Sequence, residues 1–476
     1  MFLKPVLPKL AFFVCTIFLN SAPRANFLMS NSINLRYTLL LTSVAALGGL
    51  LFGFDIAIIT GAAPFIQDYF LLQDLGLGWA VSALLWGCIP GAILAGKTTD
   101  LYGRKSILMA VSILFAITSI ATGIAPSIEF FIAARFFGGL AVGAASIVSP
   151  MYISEISPPG IRGRLVSLYQ LSIVTGVLIS YLINYALHDI GEDNWRWMFL
   201  SGTVPSLLFF VLLFFVPETP RFLFKKGQKE KSLNILSRIG GKEQAQIQIK
   251  QIAESLRIKT SRFSQLFDPA YRRMLWVGFG LAIFVQISGI NTIIDYAPII
   301  LRTAGWKIDV ALFSTFIIGI VNFIFTLVSI WAIDKFGRRP LYLIGSVGMT
   351  LMLAGLTIAN LIGRFEGSVV LLFILLYIAF FASCIGPVFW TLVAEIFPNR
   401  IRGTAMSIPV FTQWVANAIV VLFFPWMLSV AGGSLTFGLL AIMAFLMFLF
   451  TLRFVPETKG KTLEEIEKYW MDHYHE

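Results

Sequence analysis

The chain has 476 residues, of which 57% are hydrophobic and only 13% charged, about half the charge of a soluble domain of this length. That excludes a water-soluble globular protein and makes lipid the solvent for which the chain is built. The formal net charge of +11 does not point to nucleic acid, because the basic residues fall in alternate loops, as orientation in a bilayer requires.

At the N-terminus, Lys4 and Lys9 precede a short apolar run, Ala11 to Leu19, which ends near Ser21-Ala22-Pro23. The run is too short to span a bilayer and superficially resembles a signal peptide. Cleavage there would leave the new N-terminus outside, against the charge bias around Gly96 to Lys105. An upstream start or a disordered tail is expected instead, with Met29 as the true start.

Uncharged runs able to cross about 30 Å of hydrocarbon, roughly 20 residues as a helix, then recur along the chain. They begin at Tyr37, Leu75, Ser106, Phe130, Leu165, Trp197, Met274, Val310, Pro340, Ser368, Thr404 and Leu435. Backbone groups in hydrocarbon must be satisfied within the segment, so these runs read as helices. The stretch from Gly403 to Leu452 carries no charge, and Gly432-Gly433 is the turn expected to divide it into two spans. The predicted fold is all-α and integral to the membrane, with twelve transmembrane helices.

Between the sixth and seventh spans, Phe222 to Arg273 holds 12 Lys and Arg against 4 Asp and Glu. Its pattern is amphipathic, with Leu233, Leu236 and Ile239 set against Lys231, Asn234 and Arg238, and predicts short helices beneath the bundle. Turns near Asp68, Asp74, Asp189, Glu192 and Asp193 are acidic and belong to the opposite side. Both termini and the linker are therefore expected in the cytoplasm. The domain boundaries read as a tail over 1–34, a six-helix bundle over 35–220, a linker over 221–273, a second bundle over 274–456 and a tail over 457–476.

The two halves repeat. Asp-Leu-Tyr-Gly-Arg-Lys from Asp100 returns as Asp-Lys-Phe-Gly-Arg-Arg from Asp334, and Glu155-Ile-Ser-Pro-Pro-Gly-Ile-Arg-Gly returns as Glu395-Ile-Phe-Pro-Asn-Arg-Ile-Arg-Gly. Val216-Pro-Glu-Thr returns from Val455. Two parallel halves of six spans are the arrangement in which a midplane site lies between rocking bundles, so the architecture itself suggests a carrier.

Several motifs occur in a fixed order: Gly-x-x-x-Asp-x-x-Gly-Arg-Lys from Gly96, Arg135 with Gly138-Gly139, and the Glu155 to Arg164 segment. Pro217-Glu-Thr-Pro-Arg221, Gln286 through Asn291, Gly386-Pro-x-x-Trp390 and Pro456-Glu-Thr-Lys-Gly460 follow. From Leu35 to Lys461 the chain resembles the sugar porter family of the major facilitator superfamily. The resemblance implies the major facilitator fold and transport of a small polar solute.

Asp100, Arg104, Lys105, Glu155, Arg162 and Arg164 of one half, and the repeat Asp334, Arg338, Arg339, Glu395 and Arg402 of the other, lie where spans leave the membrane. Opposite charges at such reach can pair across helix ends. By resemblance these pairs lock the halves on the inside in the outward-open state and break on inward opening. Basic residues there also set topology on their own.

Asp55 lies in an otherwise apolar helix and Arg135 five residues into its own span. An intramembrane charge is costly and marks function. The two can offset each other's desolvation by pairing, and a carboxylate that lost its partner would take up a proton. Family members that couple to protons carry an Asp and an Arg at these positions, whereas uniporters commonly lack the acid. A further Glu found in the sixth span of some symporters is replaced here by Gly202. A static pair that only fixes helix packing is the competing reading.

Gln170, Gln286, Asn291, Asn322, Gln413 and Asn417 are amides in apolar segments, and Phe52, Trp390 and Trp414 add aromatic surface. Amides donate and accept together, and with aromatic faces they suit a polyol better than an ion. By resemblance Gln170, Gln286, Asn291, Trp390 and Gln413 match sugar-contacting positions, with Asn322 and Trp414 as further contributors. Such amides also serve as hydrogen-bonding glue between membrane helices. Gly289, Pro298 and Gly386-Pro387 are candidate gate bends. Span 7 departs from the family: Val285 replaces a Gln, and Asp295 precedes Tyr296 where two tyrosines are usual. Asp295 has three possible roles: bonding a solute hydroxyl, serving as a second proton site, or facing external water near the cavity mouth.

Cys15, Cys88 and Cys384 have no disulfide or metal pattern, and His188, His473 and His475 have no ligand spacing. No nucleotide-binding loop and no arrangement of nucleophile and base occurs, so no enzyme, cofactor or metal is expected. The reading is a monosaccharide or polyol symporter with the proton as coupling ion, expected to be a monomer in a bacterial inner membrane. A passive facilitator and a nontransporting sugar sensor are the alternatives.

Overall fold

The computed structural model describes residues 34–257, 266, 269–398, 401–461, 465–466 and 470; the tail ahead of Asn34, with the start expected at Met29, lies outside them. Spans 1 to 5 are Leu35–Tyr69, Asp74–Tyr102, Arg104–Gly123, Ile128–Ile156 and Arg162–Leu187. Span 6 is made of Asn194–Ser201 and Thr203–Phe214. Span 7 is broken into Pro269–Ile287, Ile290–Asp295 and Ala297–Thr303. Span 8 is Ile308–Phe336, span 9 Arg338–Leu361, and span 10 runs through Gly367–Cys384 and Gly386–Ile396.

The last long helix, Ser407–Phe454, counts 48 residues. As one rod it would measure about 72 Å, more than twice the hydrocarbon thickness. Gly432 breaks it at φ +73° and ψ 168°, a backbone that residues with a Cβ rarely adopt. It therefore supplies spans 11 and 12, and the described residues carry twelve spans in two bundles of six.

Linker helices occupy Pro220–Lys225 and Lys229–Arg257, the second broken at Gly241 (φ +81°). They pack beneath span 1: Ile239 O accepts from Asn34 N at 2.9 Å, and the Arg238 guanidinium lies 4.4 Å from the Tyr37 ring centroid. Leu236 and Ile239 are buried as the amphipathic pattern predicts, but Leu233 is 36% exposed and Ile235 takes its place. The buried face is shifted by only a fraction of a turn, since Leu236 and Ile239 remain in it, and Ser232 on that face is anchored through its hydroxyl to the Pro220 carbonyl.

The same corner occurs twice on the linker face. Gly103 and Gly337 both have φ +93° and pass the chain from spans 2 and 8 directly into spans 3 and 9. The Glu218 carboxylate accepts from the amides of Arg104 (3.1 Å), Lys105 (3.0 Å) and Thr219 (2.7 Å). Glu457 accepts from Arg338 and Arg339, both at 3.1 Å, and from Thr458 and Lys459. Each carboxylate caps orphan N–H groups at a helix start, where the helix dipole also favours negative charge. A Cβ on either glycine would collide with the capping carboxylate. Burial pushes the Glu218 carboxyl up from its ordinary value, and the three amides and Arg104 hold it back.

A Gln in place of either glutamate has one acceptor oxygen and points its NH2 at a second amide donor. Glu218→Gln and Glu457→Gln are each expected to cost about 1–2 kcal/mol, seen as a lower thermal midpoint in detergent while Gln228→Ala, on the exposed linker, leaves it unchanged.

Candidate functional site

Asp55 of span 1 and Arg135 of span 4 meet in the first bundle. Arg135 Nη1 lies 2.8 Å from Asp55 Oδ1 and also donates to the Asp55 carbonyl at 3.0 Å. The guanidinium sits 5.3 Å from the Phe199 ring centroid and is 2% exposed, while the Asp55 side chain is 14% exposed. Gly138 lets span 4 approach, since a Cβ there would lie 3.2 Å from Asp55 Oδ2. At Gly202 a Cβ would meet Ser119 Oγ at 2.9 Å and the Phe54 ring at 3.1 Å. That wall leaves no room for an acid without repacking.

Span 7 breaks at Gly289 (φ +87°), which lets Asn291 turn back and donate from Nδ2 to Gln286 Oε1 at 2.7 Å. Gln286 is buried and Asn291 half-buried. Tyr377 of span 10 donates to the Ser288 carbonyl at the break (3.0 Å), which satisfies a freed backbone group. Phe52 of span 1 and Trp414 of span 11 meet edge to face across the two bundles, centroids 6.0 Å apart. Gln170, Asn322 and Gln413 are half-buried and Asn417 is buried. None of these four amides makes a side-chain hydrogen bond to another described residue, and Gln413 Oε1 is buried without a partner. Interhelical glue would need bonds that are not made in this state. Trp390 is 38% exposed, its ring 5.2 Å from that of Phe389.

Asp295 ends the short middle helix of span 7. It is 3% exposed, and its Oδ1 is buried without a hydrogen-bond partner. Of its three possible roles, facing external water is not the one seen here, since the side chain is buried.

On the linker face Arg104 pairs with Glu155 (3.0 Å) and Asp100 (3.4 Å), and Lys225 also reaches Asp100 at 3.2 Å. Arg338 holds Glu395 in a two-pronged pair at 3.0 and 3.1 Å. These described pairs lie within one half each, so the expected lock between halves is not made by them. Arg162 and Arg164 are exposed, with no ion pair among the described residues. The side chains of Asp334 and Arg402 lie outside the described residues. Glu218 and Glu457 belong to these clusters and were not singled out by charge pattern. Their signal was the repeated Val-Pro-Glu-Thr.

The far face is shut. Arg302 Nη1 lies 3.7 Å from Asp68 Oδ2 and Ser429 donates to Asp74 Oδ2 at 2.5 Å, both between the halves, while Tyr296 donates to the Val421 carbonyl at 3.0 Å within the second bundle. Gly78 abuts the Leu422 carbonyl so closely that a Cβ would overlap it. The halves are thus joined on the far face, and the ion pairs described above on the linker face each stay within one half.

Two six-helix bundles, closed at one face around buried amides and an intramembrane ion pair, define a solute carrier of the major facilitator architecture. The family profile described as "Sugar (and other) transporter" matches residues 41–470, and the chain belongs to that family. It is 38% identical over 453 residues to an arabinose-proton symporter of Bacillus subtilis, covering 94% of this chain and 98% of the relative. It is 39% identical over 482 residues to a D-xylose-proton symporter of Escherichia coli, covering 93% and 97%. Among solved structures, the inward-open conformation of the xylose transporter XylE from E. coli matches at TM-score 0.82 and 38% identity, covering 91% of this chain and all of that one.

Overpacking at Gly78 should open the far face. A chain bearing Asp68→Cys and Arg302→Cys is expected to cross-link with a short bis-maleimide, and adding Gly78→Trp to lower the yield roughly ten- to hundredfold, as about 1–3 kcal/mol of overpacking implies.

Proposed function

We propose that this protein imports a monosaccharide or cyclic polyol together with a proton by alternating access. The observation that carries the reading is the buried Asp55–Arg135 pair at 2.8 Å, set inside a bundle whose neighbouring spans carry unbonded amides. The pair as it stands is the arrangement expected once the proton has left: Asp55 charged, Arg135 neutralising it. From the far side a proton would reach Asp55, free Arg135, and let the bundle close around bound solute. The arabinose- and xylose-proton symport of the relatives supports the proton as coupling ion and a sugar as solute.

Phe52, Gln170, Gln286, Asn291, Asn322, Trp390, Gln413 and Trp414 form the proposed solute site. Amides bond hydroxyls, and the Phe52–Trp414 contact covers an apolar ring face and spans both bundles. Arg104, Arg338 and their carboxylate partners, with Arg162, Arg164, Asp334 and Arg402, form the proposed gate network on the linker face. The basic linker, with 12 Lys and Arg, supports placing that face and both termini in the cytoplasm of a bacterial plasma membrane. The protein is read as a monomer. Gly202 favours a second reading, a passive facilitator, because the first bundle carries no further acid on span 6.

In proteoliposomes, adding D-xylose, L-arabinose, D-glucose or myo-inositol outside should acidify the lumen for the native chain and not for Asp55→Asn, which should still exchange labelled sugar. Sugar flux without proton movement in the native protein would leave the facilitator. Gln286→Ala also strands Asn291, and KM is expected to rise roughly ten- to hundredfold with kcat less changed, for about 1–3 kcal/mol of lost hydrogen bonding.

A further inference from the structure

Asp295 is the one intramembrane acid that the proposed cycle leaves unused, and its surroundings differ from those of Asp55. Asp55 has Arg135 at 2.8 Å. Asp295 is 3% exposed with Oδ1 buried and unbonded, and no described cation forms an ion pair with it. The charged and titratable groups around it are few. Span 1 offers Asp55 and span 4 Arg135, already engaged with each other. Span 5 offers Tyr181, span 10 Tyr377, and its own span Tyr296. Spans 11 and 12 carry no titratable side chain between Ser407 and Leu452. Tyr377 and Tyr296 spend their hydroxyl protons on the carbonyls of Ser288 and Val421.

A carboxylate desolvated without a cation or donors neutralises instead of staying charged. The position matters as much as the burial. Asp295 lies directly beside Tyr296, whose bond to Val421 ties this part of span 7 to span 11 one residue before Leu422, the residue that meets Gly78 of span 2 where the far face closes. When that face is open, water hydrates Asp295 and the charge is tolerated; when it shuts, the water leaves.

We infer that Asp295 is a second proton-binding carboxyl, and that the far-face gate closes only after Asp295 has taken a proton from the far side. The inference rests on alternating access as proposed above, though not on Asp55 as coupling site. It gives the gate a dependence on external acidity through a carboxyl other than Asp55, although the Arg135 charge acts on both. Asp295 acts through the gate, as a positioning residue.

The test uses the full-length chain in proteoliposomes and whichever of labelled D-xylose, L-arabinose, D-glucose and myo-inositol the native protein exchanges fastest. Asp55→Asn removes the first site, so any pH dependence of its equilibrium exchange reports on the remainder. Its exchange is expected to fall with rising pH, with a limiting slope of about tenfold per unit, that of one titrating group. Adding Asp295→Asn should abolish the fall, while Asp295→Glu should keep it. PH-independent exchange by Asp55→Asn, or a fall that survives Asp295→Asn, would overturn the inference. Loss of exchange at every pH in Asp295→Asn, with unchanged thermal midpoint, would also overturn it and make Asp295 a solute ligand. A measurement that needs no sugar and no change at position 295 is infrared difference spectroscopy of Asp55→Asn. A protonated-carboxyl carbonyl band should persist at neutral pH, and its absence refutes the proposal. Absence of sugar-driven proton entry in the native chain would sink the symport reading alone, leaving the infrared band and the exchange profile to decide on Asp295.

Discussion

Hydrocarbon cannot hydrate a charge or an unpaired amide, and most of this structure follows from that. Backbone groups are satisfied inside helices, and where a helix must start or stop another group is brought to it. Ser127 and Asn34 cap the starts of spans 4 and 1. Glu218 and Glu457 do the same at the corners turned by Gly103 and Gly337. Deep in the spans, Arg135 is held by Asp55 and by the Phe199 ring, and Asp295 Oδ1 is buried without a hydrogen-bond partner among the described residues. The same rule that makes such groups expensive makes each of them responsive to any movement that admits or expels water.

The duplicated corners explain how two bundles can move past one another. Arg104 with Glu155, and Arg338 with Glu395, tie helix ends together inside each half. Those pairs need not be broken for the halves to rock. Contacts between the halves are of another kind and include the Phe52–Trp414 edge, the Tyr185–Phe313 contact, the Gly78–Leu422 approach, the Ser429–Asp74 bond and the exposed Arg302–Asp68 pair. An exposed ion pair contributes little to stability, so closure of the far face depends mainly on backbone proximity, which a rigid rotation can undo. Rigid bodies joined by weak, shape-dependent surfaces are what alternating access requires.

Reading residues in order located the spans well because the signal, a long uncharged run, is local and strong. Gly432 was legible as a break inside a charge-free stretch and adopts a positive φ there. The linker was less legible: with a short amphipathic helix, one tertiary anchor from Ser232 is enough to exchange Ile235 for Leu233 on the buried side. The ionic clusters are legible in the sequence as charges near the exits, whereas Glu218 and Glu457, which cap the helix starts beside them, lie in a repeat with no charge pattern of its own.

By itself the sequence determined that the chain is a twelve-span, internally repeated membrane protein with ionisable residues at Asp55, Arg135 and Asp295, because length of apolar run, charge bias and repetition are properties of neighbours along the chain. Only the tertiary structure decided which of those charges are paired, that the described lock residues bond within halves and the far face is the closed one, and that Asp295 is sealed without a partner. Pairing and access depend on where helices hundreds of residues apart come to rest, and in a medium that cannot screen charge that placement sets the protonation and the function of every buried group.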